Sequence, residues 1–342
     1  MNSVPETPEV LHYTAFSDDP AGGNPAGIVL DAAGLGDEEM LAIAADVGYS
    51  ESAFLTQTPP AAASSPSPPS TPAASSSPAG PTALTGPSTP STPSTPSTPS
   101  DGPGAAGAES GDAAEAGRAY TIRYFSPKAE VPFCGHATVA TAVALGERLG
   151  PGNLVFTTRA GIVPVTVTQQ DGALRATLTS VEPHVEEIAP GDLAEALAAL
   201  DWPAGDLDPA FPPRVAFAGA RHLVLAAASR ERLADLAYDF ARLEALMHRL
   251  DLTTVQLVWR ADAETFHVRD PFPVGGVVED PATGAAAAAL GGYLRELGLV
   301  PEATVLTLHQ GEDMGRPGVL TVELRAGDRR IRVSGAGARI PV

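Results

Sequence analysis

The alternation of apolar and polar residues along the chain predicts a mixture of short strands and helices. Residues 38–47 and 241–250 carry apolar side chains at helical spacing, and each is followed by a strand-like stretch, at 52–55 and 254–259. Further strands are predicted from alternating apolar residues over 154–167, 174–178, 222–226, 305–310, 319–324 and 331–334. The order of helices and strands therefore nearly repeats along the chain.

Two segments rich in small residues make this repeat clearer. Residues 135–150 read GHATVATAVALGERLG and residues 283–298 read TGAAAAALGGYLRELG, each after a proline turn and each closed by Leu-Gly. A surface helix would show a polar face, so this composition favours two central helices that pack closely against neighbouring backbone. We infer two similar α+β halves, residues 1–157 and 158–342. The alternative is a pair of unrelated core helices.

A segment of different composition interrupts the first half. Residues 58–118 consist almost wholly of Pro, Ser, Thr, Ala and Gly, with repeated PST triplets. Such a stretch cannot bury enough apolar surface to offset an ordering cost of about 1–2 kcal/mol per residue, so we predict a disordered insertion. Its flanks, Ser52–Gln57 and residues 120–125, look like a hairpin whose turn has been lengthened. The insertion is predicted to be passive, and the alternative is a docking site for a partner protein.

Length, charge and cysteine content narrow the classes of function. The chain has 342 residues, enough for two domains, and its 21 Lys and Arg against 41 Asp and Glu give a formal net charge of -20. Such a field repels phosphate backbones and anionic lipids, so we expect no nucleic acid and no membrane as partner. The single cysteine, Cys134, cannot form an internal disulfide, and neither a signal-peptide pattern nor a spanning apolar run is present. We expect a cytoplasmic protein.

The turns before the two predicted central helices hold the candidate chemistry. Helix N-termini present unpaired N–H groups and a partial positive charge, so two such ends facing one another would cradle an anion. Gly135 and Gly284 would let a ligand carboxylate approach the backbone without a Cβ in the way. His136 and Asp280 accompany these turns, although His136 could be a satisfied helix-start residue and Asp280 a simple N-cap.

The sequence carries no competing cofactor motif. It has no phosphate-binding loop and no Gly-x-Gly-x-x-Gly that opens a helix. Metal-ligand spacing is absent among the other histidines, which are His12, His184, His222, His248, His267 and His309. We therefore predict no metal and no organic cofactor.

Short motifs recur along nearly the whole ordered part of the chain. They are FSD at 16–18, GNPAGIVL at 23–30, EEM at 38–40, SESAF at 50–54, YFSP at 124–127, PFCGHAT at 132–138, EDPATG at 279–284, QG at 310–311 and GRP at 315–317. In order and spacing, apart from the insertion, they resemble the PhzF-like phenazine biosynthesis family. The resemblance implies the diaminopimelate epimerase fold, in which two lobes each wrap a mixed β-sheet around a central helix and the active site lies in the cleft between them.

The resemblance also implies roles for individual residues. The family's proton-transferring glutamate falls on Glu51, and the histidine and aspartate that hold its substrate fall on His136 and Asp280. A carboxylate at the entrance of a buried strand is partly desolvated, which suits proton transfer. The alternative is that Glu51 is an exposed residue at the start of the strand with no catalytic role. The other expected substrate-binding positions are Asn24, Gly135, Thr283, Gly284 and Ala285.

Three positions bear on these implied roles: Ala285, Cys134 and Asn24. Ala285 stands where well-known family members carry Ser, which removes a hydroxyl and leaves the substrate open. A single cysteine excludes the two-thiol racemisation of related epimerases; Cys134 either assists as a lone thiol near a helix N-terminus or packs as a small buried residue. Asn24 either reaches the substrate or only forms its Gly-Asn-Pro turn.

The sequence therefore predicts a cofactor-independent isomerase that moves a proton on a small carboxylated substrate, with Glu51 as both base and acid. The alternative is a catalytically idle protein of the same fold that binds a small metabolite. A homodimer is an expectation from the family alone.

Overall fold

One extended β-sheet dominates the fold, and few helices accompany it. A computed structural model describes residues 8–57 and 118–342, which form a mixed α/β fold. The strands are β1 (Leu11–Ala15), β2 (Asn24–Val29), β3 (Ser52–Gln57), β4 (Ala119–Phe125), β5 (Glu130–Val131), β6 (Gly152–Thr158), β7 (Gly161–Gln170), β8 (Ala173–Thr179), β9 (His184–Glu187), β10 (Arg214–Phe217), β11 (Arg221–Ala226), β12 (Thr254–Arg260), β13 (Thr265–Pro271), β14 (Glu279–Asp280), β15 (Thr304–Gln310), β16 (Gly318–Arg325) and β17 (Asp328–Arg339). The α-helices are α1 (Asp37–Val47), α2 (Gly135–Leu149), α3 (Pro190–Leu200), α4 (Arg230–Ala234), α5 (Phe240–Leu250) and α6 (Gly284–Glu296).

The four helices predicted from apolar spacing and small-residue content are confirmed as α1, α2, α5 and α6, with ends shifted by at most two residues. The segment 154–167, predicted as strand, is instead two antiparallel strands, β6 and β7, joined by a tight turn at Arg159 and Ala160. None of the helices in the described ranges is both long and apolar enough to cross a membrane.

The predicted interrupted hairpin is confirmed by the pairing of β3 with β4. The two strands are antiparallel, and Gln57 lies opposite Tyr120. The predicted disorder of the insertion lies outside the described residues, except at its last residue. Arg118 donates hydrogen bonds to the carbonyls of Leu149, Gly150 and Pro151 at the end of α2. A guanidinium satisfies the free carbonyls of a helix C-terminus in this way, so the insertion ends before Arg118.

A closed ring of strands surrounds α2. In order of pairing the ring runs β17, β8, β7, β6, β4, β3, β2 and β1, and β1 pairs with β17 again. Different parts of β17 pair with β8 and with β1. Ser334 lies opposite Thr177 of β8, and Ala338 lies opposite Thr14 of β1. The helix packs against β1, β2, β8 and β17, and residues 136–146 are all buried.

A second series of strands starts from the same β17 and runs through β16, β15, β13, β12, β11 and β10 to β9. Helix α6 packs against β9, β10, β11, β16 and β17. The approach is close, since a Cβ added at Gly291 would lie 2.8 Å from Val322. Helices α3 and α5 cover the other face of β11 and β12 with a separate apolar core.

Candidate functional site

Glu51 and His136 lie side by side at the edge of the ring. Glu51 directly precedes β3, which pairs in parallel with β2, and His136 is the second residue of α2. The Glu51 Oε2 atom is 3.5 Å from His136 Nε2, and the two side chains are 15% and 7% exposed. Ser50 Oγ lies 3.4 Å from the same imidazole nitrogen. The structure thus brings two of the predicted site residues together in a partly desolvated pair.

A chain of hydroxyl groups fixes the start of α2. Thr138 donates from Oγ1 to the carbonyl of Cys134, at 2.6 Å, so Tyr124 must donate its phenolic hydrogen to Thr138 Oγ1, also at 2.6 Å. Burial raises the pKa of Tyr124, which keeps this phenol protonated. Because these hydrogen bonds hold the first turn of α2, they also fix the position of the His136 backbone.

Cys134 is both buried and in contact with the site. Its Sγ is 3.7 Å from Glu51 Oε2 and 3.4 Å from His136 Nδ1. Burial, with the negative charge of Glu51 as the next cause, raises the pKa of the Cys134 thiol well above its ordinary value. The position at a helix N-terminus, which would lower a thiol pKa, does not prevail. Cys134 is therefore a neutral thiol and a poor base.

Glu51, Cys134 and His136 carry three donor groups of the kinds that can bind metal ions. Their carboxylate, thiol and imidazole donor atoms all lie within 4.8 Å of one another. The histidine spacing considered in the sequence did not reveal this set, because its members come from two separate segments, Glu51 before β3 and the pair Cys134 and His136 at α2.

Asp280 is the centre of a second buried cluster. Asn24 donates its amide hydrogens to Asp280 Oδ1, at 2.8 Å, and to the carbonyl of Ala282, at 3.0 Å. Thr283 donates from Oγ1 to Asp280 Oδ2, at 2.5 Å. Asn24 is 1% exposed. Both of its donor hydrogens are thus used on the segment that carries Asp280, so its observed role is to hold the aspartate.

Arg316 positions the loop that leads to Asn24. Its Nε donates to the carbonyl of Gly23, at 2.9 Å, and its Nη2 donates to that of Gly22, at 2.8 Å. The backbone N–H of Gly23 in turn donates to the carbonyl of Pro317, at 3.0 Å. The GRP motif at 315–317 therefore fixes the GNP turn at the start of β2.

Gln310 is a further residue of this cluster and was not among the predicted site residues. Its Nε2 donates to the carbonyl of Asp280, at 2.9 Å, and to Thr283 Oγ1, at 3.0 Å, while its Oε1 accepts from the N–H of Thr283, at 2.9 Å. The Gln310 side chain thereby stabilises the turn before α6 through three hydrogen bonds. One feature of the sequence could have indicated a role for Gln310: it is a polar residue at the end of an otherwise apolar strand, within the QG motif.

A buried ion pair supports Asp280 from the other side. Asp280 and Glu279 form β14, which pairs with Asp270 and Pro271 of β13. Arg269 binds Glu279 through two hydrogen bonds, Nε to Oε1 at 2.9 Å and Nη2 to Oε2 at 2.5 Å, and these side chains are 9% and 5% exposed. The remaining guanidinium nitrogen donates to the carbonyl of Ala234, at 2.7 Å. Arg269 was not among the predicted site residues.

The two glycines at the helix starts differ in their surroundings. A Cβ added at Gly135 would have Phe133 Cε1, at 4.0 Å, as its nearest neighbour, whereas one at Gly284 would lie 3.1 Å from Phe16 Cζ. Gly135 therefore leaves open space in front of α2, as the predicted anion cradle requires. Gly284 instead makes room for a buried aromatic ring. Ala285 follows it with its side chain partly exposed.

The two clusters act on one another electrostatically. Burial raises the pKa of Asp280 from 3.8 to about 6; the charge on His136 and the hydrogen bonds from Thr283 and Asn24 lower it, and the charge on Glu51 raises it. Glu51 and His136 therefore belong to the electrostatic surroundings of Asp280. The predicted acid/base and the two predicted substrate-holding side chains are therefore close enough to influence one another's charge.

The raised pKa of Asp280 predicts a loss of stability as pH rises. Well below pH 3.8 both the folded and the unfolded chain carry this carboxyl protonated. As the pH rises from 3.8 to about 6, the unfolded chain ionises first, which favours unfolding. From the shift between 3.8 and about 6, we expect the stability of the wild type relative to Asp280→Asn to fall by about 3 kcal/mol over this interval and to stay level above it. Urea unfolding at a series of pH values measures this difference. Parallel curves for the two proteins would contradict the prediction.

The fold is one shared by epimerases and racemases. A hydroxyproline epimerase from Agrobacterium vitis superposes with a TM-score of 0.55 at 11% sequence identity, covering 96% of this chain and 89% of that one. A phenazine biosynthesis protein of the PhzF family from Bacillus anthracis gives a TM-score of 0.72 at 23% identity, over 97% and 96% of the two chains. These two similarities show the fold that the chain shares with proteins of the epimerase class.

The sequence profile of the PhzC-PhzF family, phenazine biosynthesis-like protein, matches residues 13–65 and 112–340. The chain belongs to this family. The match confirms the resemblance drawn from the short motifs.

Curated relatives carry isomerase names. An uncharacterized isomerase of Bacillus subtilis, YfhB, is 26% identical over 97% of this chain and 96% of its own length. The trans-2,3-dihydro-3-hydroxyanthranilate isomerase of Pseudomonas aeruginosa is 34% identical over 221 residues, which cover 64% of this chain and 76% of the relative.

Proposed function

We propose that the protein is a cofactor-independent isomerase in which Glu51 alone removes a proton from a small carboxylated substrate and returns it at another position. The observation that carries this proposal is the partly buried Glu51 carboxylate, 3.5 Å from His136 Nε2. Positioned side chains of this kind act as general acids and bases when the substrate proton comes within hydrogen-bond reach. One group that both takes and returns the proton implies transfer on a single face of the substrate.

The neighbouring groups support Glu51 as the single proton carrier. The Cys134 thiol lies 3.7 Å from Glu51, but its pKa is raised well above the ordinary value by burial, so it remains protonated. Asp280 is engaged by Asn24 and Thr283. Of the carboxylates in the site, Glu51 is therefore the one with its lone pairs least committed to protein donors.

The helix starts supply the binding half of the proposal. The first N–H groups of α2 and α6 have no intrahelical partner, so the backbone at Gly135 and at Gly284 and Ala285 would donate to a substrate carboxylate. His136 would stabilise negative charge that develops on the substrate during proton removal. Asp280, with Thr283 beside it, would accept a hydrogen bond from a substrate amino or hydroxyl group.

We further propose that the chain forms two lobes, each a sheet around a central helix, with the site between them. The packing of α2 inside one ring of strands and of α6 against the second series supports this arrangement. The pairing of β7 and β8 with β6 and β17 favours a lobe boundary after residue 179, instead of after residue 157.

The chemical class of substrate follows from the site and from the relatives. An N–H cradle selects a carboxylate, and Asp280 selects an amino or hydroxyl group nearby. The named substrate of the Pseudomonas aeruginosa relative combines these groups on a partly reduced ring. Because Ala285 lacks a hydroxyl, we propose a related carboxylate that makes no hydrogen bond to a side chain at this position.

Hydrogen exchange with solvent tests the proposal and separates it from an idle metabolite-binding protein. Small amino- and hydroxy-carboxylates that raise the melting temperature are selected first, since a ligand bound only by the folded state must stabilise it. They are then incubated with the protein in heavy water. We expect deuterium at carbon with the wild type and none with Glu51→Gln. Ligands that bind and never exchange would establish the idle binding protein instead.

A further inference from the structure

Phe16, the first residue after β1, has a backbone conformation that bulky residues rarely adopt. Its φ is 65°, and its side chain is fully buried. In the described part of the chain, the other non-glycine residues with positive φ are Asp171, Asp201 and Asp251, and aspartate tolerates this conformation. A strained residue persists only where its surroundings hold it firmly, and such residues cluster at functional sites.

Hydrogen bonds hold the Phe16 backbone between two strands. Its N–H donates to the carbonyl of Ala336 in β17, at 2.7 Å, and its carbonyl accepts from the N–H of Val319 before β15's neighbour β16 continues, also at 2.7 Å. Gly335 leaves room for this arrangement, because a Cβ there would overlap the ring at Cδ1 and lie 3.1 Å from Phe16 Cα. Strands β16 and β17 therefore impose the conformation of Phe16.

The ring of Phe16 contacts the start of α6. A Cβ added at Gly284, the first residue of this helix, would lie 3.1 Å from Phe16 Cζ and 3.7 Å from Cε2. Asn24, at the end of the loop that Phe16 begins, binds Asp280 in the turn before the same helix. This loop therefore holds the turn at both ends, by hydrogen bonds at Asp280 and by an apolar contact at Gly284.

We propose that Phe16 is a positioning residue whose ring sets the place of the first N–H groups of α6 relative to Asp280. The proposal rests on the proposed function of this turn in substrate binding. With a smaller side chain at position 16, Gly284 would lose its packing partner and the start of the helix would be free to shift. A misplacement of about 1 Å near the reacting groups can lower a rate about 10²-fold.

A double-mutant cycle between Phe16→Leu and Gly284→Ala tests the contact without reference to catalysis. Leucine removes the outer atoms of the ring, including Cζ, so a methyl group at position 284 gains room that it lacks in the wild type. Urea unfolding measures the single and double variants. We expect the change in urea midpoint caused by Gly284→Ala to be more favourable in the Phe16→Leu background than in the wild type. Equal changes in the two backgrounds would overturn the proposal.

Ligand-induced melting shifts and deuterium exchange separate positioning from simple core packing. The matched control is Phe156 in β6, which is also fully buried and makes none of the site contacts described above. We expect Phe16→Leu to reduce the melting shift given by the stabilising carboxylates and to slow exchange by up to about 10²-fold. Phe156→Leu should lower the melting temperature and keep both the ligand shift and the exchange rate.

The pH dependence of exchange in Phe16→Leu should stay that of the wild type, because the substitution leaves Glu51 in place. If Phe16→Leu does not fold, Phe16→Met takes its place, since methionine keeps more of the volume and also lacks the ring. A folded variant at position 16 that binds and exchanges as well as Phe156→Leu would show that Phe16 is a core residue without a positioning role.

The two proposals fail separately. A wild type that binds carboxylates and never exchanges removes the isomerase, and the melting shift then decides the role of Phe16. A wild type that exchanges, together with a Phe16→Leu protein that exchanges and binds equally well, keeps the isomerase and removes the positioning role.

Discussion

Replacing Glu51 by Gln is expected to lower kcat by about 10²–10⁴-fold, the usual contribution of a general acid–base residue. The amide keeps the size of the side chain but cannot accept a proton from carbon. Steady-state kinetics with a substrate identified by deuterium exchange measures the effect. Among the described residues, the nearest groups to this carboxylate are Cys134 Sγ, at 3.7 Å, and His136 Nε2, at 3.5 Å, so stability should change little.

A matched control is Glu130→Gln. The Glu130 side chain is 10% exposed, close to the 15% of Glu51, but it pairs with Arg123 and Arg159. This substitution should lower stability and leave kcat unchanged. A Glu51→Gln protein that turns over at the wild-type rate would remove Glu51 from the mechanism, and a control that loses kcat equally would show that the effect is not specific.

Replacing Arg269 by Met is expected to lower the free energy of unfolding by about 3–5 kcal/mol, because Glu279 would remain charged and buried without its partner. The pair is 9% and 5% exposed, and both carboxylate oxygens of Glu279 accept from the guanidinium. Since Glu279 immediately precedes Asp280, we also expect weaker binding of the stabilising carboxylates. Urea unfolding and ligand-induced melting shifts measure the two effects.

The double variant Arg269→Met with Glu279→Leu should recover most of the stability, since no buried charge is then left alone. Arg242→Met provides the exposed comparison. Arg242 binds Glu195 with the same two-bond geometry, but these side chains are 42% and 37% exposed, so its loss should lower the free energy of unfolding far less than the loss of Arg269. Equal losses for Arg269→Met and Arg242→Met would mean that burial does not control the strength of the pair.

Local patterns in the sequence were sufficient to predict much of the fold. Apolar spacing located α1 and α5. Small-residue content located α2 and α6, because a helix that packs closely against neighbouring backbone needs small side chains and has no polar face. The alternation of residues also predicted β3 and β4 on either side of the insertion. The ring of strands was not predictable in this way, since periodicity carries no information about which strands pair.

The site was less predictable from residue patterns than from resemblance. Glu51 and His136 come from separate segments, and the motif match alone suggested that they act together. Arg269 illustrates the physical limit. A charged residue within a strand ordinarily indicates an exposed position, and here it is buried only because Glu279 and the carbonyl of Ala234 compensate it. The contact of Cys134 with both catalytic candidates likewise depends on tertiary structure.

Strand β17 has a consequence for how the protein is made. It closes the ring around α2 by pairing with both β8 and β1, yet it follows all the other described strands in chain order. During synthesis the first ring therefore stays open, with α2 uncovered on one side, until the ribosome has released nearly every other strand. Such late, long-range closure slows folding and exposes strand edges. The formal net charge of -20 opposes association of these exposed edges between growing chains before β17 emerges.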